Sequence, residues 1–515
     1  MLNTDVYDHS VKKLELLETH ISWVVLTGEF AYKIKKPVNF GFLDFSTLEK
    51  RRSFCEQEVR LNSRLAPGIY LKVVPIAGTL DKPIVSGAGK AFEYAVKMLQ
   101  FPQSAQLDNM LAAGELKAEH MDSFARMTAD FHHAAAIADA AMDYGEKDVL
   151  YQPVEENFQQ IKEHLDTRMY AEKLSVLLKW NKSEFVKLAA VFRQRKRDGC
   201  IRECHGDMHL RNLIWLNHQP MAFDCIEFNS HLSWIDVISE VAFLVMDLQS
   251  RQQHQLANRF LNHYLEITGD YSGLMLINFY LCYRALVRAK VDALRIEQTD
   301  ITEVESLKSR AQFELYLELA ITYTQCAAPK LIILQGLSAV GKSTLSQQLL
   351  DETGMIRIRS DVERKRLFSD ISNSTTNETN TGIYSAQASL QTYTKLVNLA
   401  EQIITAGFSV IVDATFLKYE QREMFKLLAE RIDVPYIILQ LTASVKVMKQ
   451  RIIERKDDVS DAGIAVLEHQ LSNWEALHEE EDNVTIHVDT EDLLDINNLK
   501  IAIDTLSKKQ KAAAR

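Results

Sequence analysis

The 515-residue sequence predicts a chain of two domains. The first is an α+β unit in two lobes. The second is an α/β unit, a parallel sheet with helices on both faces. Three observations predict this. A strand-rich stretch with one helix (about 1–102) is followed by a mostly helical one (about 103–326). Past the connector Gln325 to Lys330 the pattern changes to alternating strand and helix, the signature of a parallel sheet. That alternation opens with an apolar run, Leu331 to Gln335, leading directly into Gly336-x-x-x-x-Gly341-Lys342-Ser343-Thr344 and a helix-forming stretch. A chain of this length is too long for one ordinary core. The boundary is expected between residues 326 and 327.

In the first domain, Ile21 to Leu26 and Phe30 to Ile34 read as strands joined by a turn at Thr27-Gly28-Glu29. Ser46 to Leu65 reads as a helix stopped by Pro67-Gly68. Tyr70 to Ile76 and Phe92 to Met98 are further strands. Helical periodicity then marks Leu116 to His133, Glu155 to Met169, Lys182 to Arg197 and Ser233 to Leu248. Arg202 to Asn229 interrupts the helices with a polar loop and two short apolar runs. In the second domain the expected strands are Leu331–Gln335, Met355–Arg359, Ser409–Asp413, Tyr436–Leu441 and Thr485–Val488. Ser369 to Thr381, rich in Ser, Thr and Asn, predicts a loop. Lys508 to Arg515 predicts a frayed tail.

Composition narrows the function classes. Hydrophobic residues at 47% and charged residues at 25% suit a globular protein. A net charge of −11 argues against strong nonspecific binding to nucleic acid or anionic membrane. Six irregularly spaced cysteines point to a reducing compartment. Cys200 and Cys204 beside His205 have no second Cys/His pair at zinc spacing, which favours a structural role. Met1 to Ser10 is polar and acidic, unlike a signal peptide. Leu274 to Tyr283 is apolar but short and runs into Arg284, so it predicts a buried helix rather than a membrane span. The expected location is the cytoplasm; the oligomeric state is open.

Strand, glycine loop and helix together form the P-loop pattern. Gly336 and Gly341 let the backbone wrap so that N–H groups face phosphate oxygens. Lys342 brings a charge to the β- and γ-phosphates, and Ser343 offers a hydroxyl to Mg²⁺. Ligands in such sheets sit beyond the carboxyl ends of the strands. There the second strand is followed by Ser360-Asp361-Val362-Glu363, which reads as a capping box, with Arg364 one turn on. Asp361 can accept the proton of an attacking hydroxyl and Arg364 can hold oxygens; alternatively Asp361 only favours the helix N-terminus. Asp413, ending the third strand, is placed to steady Mg²⁺, and Arg422 is a lesser candidate. Arg451 and Arg455, i and i+4 on one helix face, are either a lid over the phosphates or a solvated face. These residues resemble the P-loop kinases of the polynucleotide-kinase and zeta-toxin type, over about residues 330–505. The resemblance implies ATP-dependent phosphorylation of a hydroxyl with Asp361 as base.

A second phosphotransfer design lies upstream. In His205-Gly206-Asp207, with Asn212 five residues after the aspartate and Asp224 after a hairpin, Asp207 orients or deprotonates an acceptor hydroxyl. Asn212 and Asp224 hold Mg²⁺. Lys33 on a strand and Glu58 on the first helix match the ion pair that positions α- and β-phosphates; Lys35 and Lys36 are alternatives to Lys33. The pattern resembles the aminoglycoside phosphotransferase family, with a protein-kinase-like fold, over roughly residues 10–325. It departs from protein kinases in lacking G-x-G-x-x-G and in having Asp224-Cys225-Ile226 for Asp-Phe-Gly. The resemblance implies a hinge at Met98 to Gln100 that contacts adenine. The full arrangement resembles a bacterial fusion family, bifunctional aminoglycoside phosphotransferase-like and ATP-binding.

The expectation is therefore an ATP- and Mg²⁺-dependent kinase with two nucleotide sites, acting on a small molecule or a nucleic-acid end. Two other readings stand beside it: one domain as an ATP-sensing regulator of the other, or a P-loop ATPase with no phosphoryl acceptor. The acidic run Glu479 to Asp482 reads as a solvated turn.

Overall fold

Three strands open the first sheet: β1 (Glu15–Glu18), β2 (Ser22–Leu26) and β3 (Phe30–Lys35). Gly28, at φ +93°, makes the predicted turn between the last two. The computed structural model describes residues 1–39, 43–165, 167–297, 301–325, 328–368, 385–454, 463–492 and 494–513. The predicted loop at 369–381 lies outside the described residues. Two compact units result: Met1–Gln252 with Phe279–Thr322, and Gln253–Asn278 with Tyr323–Arg515.

In the first unit, β4 (Tyr70–Gly78), β5 (Pro83–Val85) and β6 (Glu93–Leu99) complete a sheet of order β1-β2-β3-β6-β4-β5, antiparallel throughout. Alternation along the strands gives the sheet two apolar faces. Val25, Tyr32, Ile34, Val74 and Ile76 lie in one cluster. Val96 and Tyr70 join Cys55 of helix α1 (Leu48–Asn62) in another. The Thr47 side chain caps α1, accepting from the Lys50 N–H.

The helical part of this unit holds α2 (Leu107–Ala112), α3 (Ala118–Ala134), α4 (Lys147–His164), α5 (Ala171–Lys187) and α6 (Ala189–Arg197). Helix α4 begins eight residues before the predicted Glu155. Pro153 forfeits one hydrogen bond without ending the helix, because Val154, Phe158 and Ile161 beyond it are buried. The interruption forms β7 (Ile201–Glu203), β8 (Leu213–Leu216) and β9 (Gln219–Ala222), then α7 (Ser230–Ser233), β10 (Trp234–Asp236) and α8 (Val237–Ser250). The predicted helix from Ser233 starts later because Trp234 to Asp236 pair with β7 and Asp236 then caps α8 through the Ile238 N–H.

Helix α9 (His254–Thr268) belongs to the second unit. Helix α10 (Leu274–Ile296), whose residues from Phe279 belong to the first unit, and α11 (Glu303–Thr322) follow. Among the described residues no helix is long and apolar enough to cross a membrane.

The second unit is built on β11 (Leu331–Gln335), with α12 (Lys342–Thr353), β12 (Ile356–Arg359), α13 (Ser360–Leu367), α14 (Ala386–Thr405), β13 (Val410–Asp413), α15 (Tyr419–Arg431) and β14 (Tyr436–Thr442) after it. Helices α16 (Val445–Glu454) and α17 (Ile464–Ser472), strand β15 (Thr485–Asp489) and helix α18 (Ile496–Ala513) complete it. The sheet is all parallel in the order β12-β13-β11-β14-β15. Its central strand β11 is buried along its whole length. As far as Ala513 the predicted frayed tail is instead the end of α18; residues 514–515 lie outside the described residues. Gln510 pins it to the start of β14, accepting from the Tyr436 N–H at 3.0 Å and donating to the Tyr436 carbonyl at 2.7 Å.

Candidate functional site

In the second unit the glycine loop follows β11 at its carboxyl end. Ala339 at φ +61° and Gly341 at φ +108° bend it inward. A side chain on Gly336 would stand 2.7 Å from Val340 Cγ1, so only glycine fits that close approach. Lys342 opens α12, and its ammonium donates to the carbonyls of Gly336 (2.9 Å) and Leu337 (2.8 Å). Beside it the Ser343 hydroxyl donates to Asp413 Oδ2 at 2.9 Å, joining the loop to the end of β13.

Asp361 and Arg364 line the same cavity of about 1010 Å³ as Lys342, Ser343, Thr344 and Asp413. Arg364 Nη1 lies 3.8 Å from Asp361 Oδ1. The predicted capping box is absent. Arg359 is the N-cap, Ser360 is the first helical residue and makes no cap bond, and Glu363 is buried and pairs with Arg366. Asp361 therefore stands in the first turn, partly exposed to the cavity.

Arg451 lines the same cavity, at the back of the glycine loop. It donates to the Val340 carbonyl at 3.0 Å and to Thr490 Oγ1 (3.0 Å) and carbonyl (2.7 Å), clamping the glycine loop to the end of β15. Arg455 lies outside the described residues. Arg422 is fully buried and forms a bidentate pair with Glu481 at 2.7 and 2.9 Å. Glu481 is thus no solvated turn residue.

Sequence reasoning missed Arg359, Gln470 and Thr490. Gln470 Oε1 accepts the Ser338 N–H at 2.8 Å, and Arg359 Nε lies 3.9 Å from Asp413 Oδ2. The strand-end position of Arg359 was a usable signal; Gln470 and Thr490 carry none.

In the first unit, Glu58 is fully buried and shared. Its Oε1 meets Lys33 Nζ at 2.7 Å and its Oε2 meets Lys35 Nζ at 2.6 Å. Lys33 also reaches Asp224 Oδ1 at 2.5 Å, while Lys35 pairs with Glu227 and Lys36 with Glu18. Burial opposes charge on Glu58, yet the two ammonium groups outweigh it and bring its carboxyl down to about 2. Asp224 adopts φ +63°, a left-handed conformation uncommon outside glycine. The Tyr70 hydroxyl accepts its N–H at 3.1 Å.

Asp207 and Asn212 come together: Asn212 Nδ2 donates to Asp207 Oδ2 at 2.9 Å and to its carbonyl at 3.0 Å. Burial alone raises the Asp207 carboxyl, but the charge and hydrogen bond of His209, with Arg288 and His205 adding to them, hold it well below the usual carboxylate range. His205 faces inward. Its Nε2–H donates to the Phe223 carbonyl at 2.8 Å and its Nδ1 accepts the Asp207 N–H at 3.3 Å. Both ring nitrogens thus hold backbone, linking the Asp207 loop to the hairpin that carries Asp224. Burial also lowers the pKa of this ring. Beneath the loop, Glu240 and Asp247, two turns apart on α8, accept the N–H groups of Gly206 (2.7 Å) and Leu210 (2.9 Å). Cys204 lies in a buried cluster with His132 and Glu240, not with His205 as a ligand partner. Met98, next to last on β6, is half-buried against the cluster around Cys55 and Tyr70.

The donors fit hard divalent cations: a hydroxyl and a carboxylate in one site, an amide and carboxylates in the other, with no soft ligand among the candidates.

A family model described as "Phosphotransferase enzyme family" matches residues 56–277, and one described as "AAA domain" matches 331–477. The uncharacterized proteins Rv2004c of Mycobacterium tuberculosis and Mb2027c of Mycobacterium bovis are each 30% identical over 470 residues, covering 90% of this chain and 91% of theirs. Among solved structures, amicoumacin kinase aligns at 13% identity with a TM-score of 0.39, over 61% of this chain and 90% of its own. A gluconokinase from Sinorhizobium meliloti 1021 aligns at 18% with a TM-score of 0.28, over 36% and 98%.

Proposed function

Because the chain belongs to the family that joins an aminoglycoside-phosphotransferase-like domain to a P-loop kinase-type domain, we propose that it carries two ATP-dependent kinase activities. Each transfers a γ-phosphoryl group to a hydroxyl of a small molecule or a nucleic-acid end. The observation that carries this reading is the joint placement of Lys342, Ser343 and Asp413 with Asp361 around one cavity. Such a cavity has room for donor and acceptor together.

In the second unit Lys342 and the loop N–H groups hold the donor phosphates. Asp361 accepts the proton of the acceptor hydroxyl, and Arg364 holds acceptor or phosphate oxygens. Ser343 and Asp413 would hold Mg²⁺, which neutralises charge on the phosphate oxygens when bound. In the first unit Lys33, oriented by Glu58, holds the donor phosphates, with Met98 at the adenine. Asp207, kept ionised by its neighbours, takes up the acceptor proton. Asn212 and Asp224 would hold Mg²⁺ there. His205 acts as a positioning residue, fixing the relation of the Asp207 loop to Asp224. We assign the activities to about residues 1–326 and 327–515, and place the protein in the cytoplasm, in keeping with the buried thiols of Cys55, Cys204, Cys225 and Cys282, which form no disulfide among the described residues.

The test measures label transfer from ATP to sugars, nucleosides, RNA ends and aminoglycosides by wild type, Lys342→Ala and Asp207→Asn. Loss of transfer to a different acceptor in each variant is expected. If Asp207→Asn leaves every acceptor unaffected while ATP still binds, the first domain is a regulator. Phosphate release indifferent to every acceptor makes the second an ATPase.

A further inference from the structure

Strand β12 lies at the edge of its sheet and reads Ile356-Arg357-Ile358-Arg359. Alternation buries the two isoleucines on one face and sets both arginines on the other. Two guanidinium groups on a buried face need a carboxylate. It comes from Glu266 on α9, far upstream and within the stretch matched by the phosphotransferase model, though α9 packs in the P-loop unit. Glu266 Oε2 meets Arg357 Nη2 at 3.0 Å and Oε1 meets Arg359 Nη1 at 3.3 Å. One turn earlier Asn262 completes the edge: its Oδ1 accepts the Arg357 N–H at 2.8 Å and its Nδ2 donates to the Met355 carbonyl at 3.1 Å. Asn262 thus supplies the bonds a neighbouring strand would make.

Both arginines lead to Asp413. Arg359 Nε stands 3.9 Å from Asp413 Oδ2. Arg357 Nη1 donates to Ser346 Oγ at 3.4 Å, and that hydroxyl donates to the same Oδ2 at 3.4 Å. Asp413 Oδ2 in turn accepts from Ser343. We propose that Glu266 is a positioning residue for the P-loop site, holding Arg359 and Arg357 off Asp413 and neutralising them so that Asp413 stays open to a divalent cation. Without Glu266 the Arg359 guanidinium closes on Asp413, whose Oδ2 already stands 3.9 Å from its Nε. A cation then has to displace an arginine and enter a more positive field. This proposal rests on the assignment of Ser343 and Asp413 to the cation.

The test titrates Mn²⁺ into the full-length protein with ADP, following free Mn²⁺ by electron paramagnetic resonance, and measures urea unfolding of the same samples. Removing a partner that orients a metal ligand weakens metal binding by about 10–100-fold. Glu266→Ala is expected to raise half-saturating Mn²⁺ by about tenfold. Asn262→Ala, which removes edge bonds but no charge, is expected to lower the unfolding midpoint and leave Mn²⁺ binding unchanged. Glu266→Ala with Arg359→Met is expected to restore tight binding. Should Glu266→Ala not fold, Glu266→Gln keeps an acceptor for one arginine and is expected to show a smaller shift in the same direction. An unchanged Mn²⁺ isotherm in the Glu266 variants, or the same shift in Asn262→Ala, overturns the proposal. If Asp413→Asn also leaves Mn²⁺ binding unchanged, the cation-site assignment fails and the proposal with it; if Asp413→Asn shifts binding and the Glu266 variants do not, the proposal alone fails.

Discussion

The Lys35 ammonium stands 2.6 Å from Glu58 Oε2, while Lys33, two positions earlier on the same face of β3, takes Oε1 at 2.7 Å. One carboxylate thus serves two lysines that differ in setting. Lys35 is sealed, with 1% of its side chain exposed, between Glu58 and Glu227; Lys33 is 13% exposed and reaches Asp224. Removing one member of a buried ion pair costs about 3–5 kcal/mol. Lys35→Ala is therefore expected to lower unfolding stability by about that amount. Lys33→Ala, which leaves Glu58 paired, is expected to unfold near the wild-type midpoint while losing ATP affinity. Urea melts with nucleotide titrations check this, and the reverse ranking would make Lys35 the phosphate-contacting lysine.

Asp292 supplies a pH dependence. Burial raises its carboxyl to about 6, against the opposing charges of Arg288, Arg211 and Arg295. In the unfolded chain an aspartate titrates near ~3.9. Between about 4 and 6 the folded state therefore keeps a proton the unfolded state has released, and stability falls as pH rises through that window. Asp292→Asn is expected to stabilise the protein by about 1–2 kcal/mol at pH 7.5, allowing for its partial exposure, and by little at pH 4. Equal effects at the two values would show that its ionisation is not what costs stability.

Arg451 is a brace, and a brace acts before any nucleotide binds. Arg451→Ala is expected to lower the unfolding midpoint of the nucleotide-free protein and to weaken nucleotide binding. Arg451→Lys is expected to recover little, because one ammonium cannot reproduce the forked contacts to Val340 and Thr490. A lid arginine would leave nucleotide-free stability unchanged, so calorimetry without nucleotide separates the two.

Glu481 and its neighbour Glu479 differ only in environment. Glu481→Gln leaves the buried Arg422 without its counter-charge and is expected to cost about 3–5 kcal/mol. Glu479→Gln, on an exposed side chain, is expected to change stability by less than about 0.5 kcal/mol. Thermal melts of the two variants side by side test the contrast.

The features that were legible in the sequence are local. A strand, six residues of glycine loop and a helix start lie within about fifteen positions, and the backbone they need is set by those residues themselves. The same holds for Gly28, whose turn was read correctly, and for the five parallel strands, whose apolar runs match β11 to β15 within a residue at either end. Where local signals competed, the reading slipped. Ser360 is a good N-cap residue, yet Arg359 ends β12 one position earlier and takes that place. Periodicity marks a helix only from Glu155, yet α4 starts at Lys147 and runs through Pro153 because the residues beyond it are buried.

By itself the sequence determined two domains, their fold classes and the glycine loop, because periodicity and short motifs encode backbone shape over a few turns. Only the tertiary structure decided which charges meet. Lys33 and Lys35 share a strand face, and nothing in their spacing says that both reach Glu58. Arg451 and Arg422 looked alike as charged helix residues until folding put one against the glycine loop and buried the other on Glu481. Glu266, about ninety positions before the arginines it neutralises, carried no signal. Ion-pair partners are set by where separate elements come to rest, and a buried charge takes whichever opposite charge that packing brings within reach.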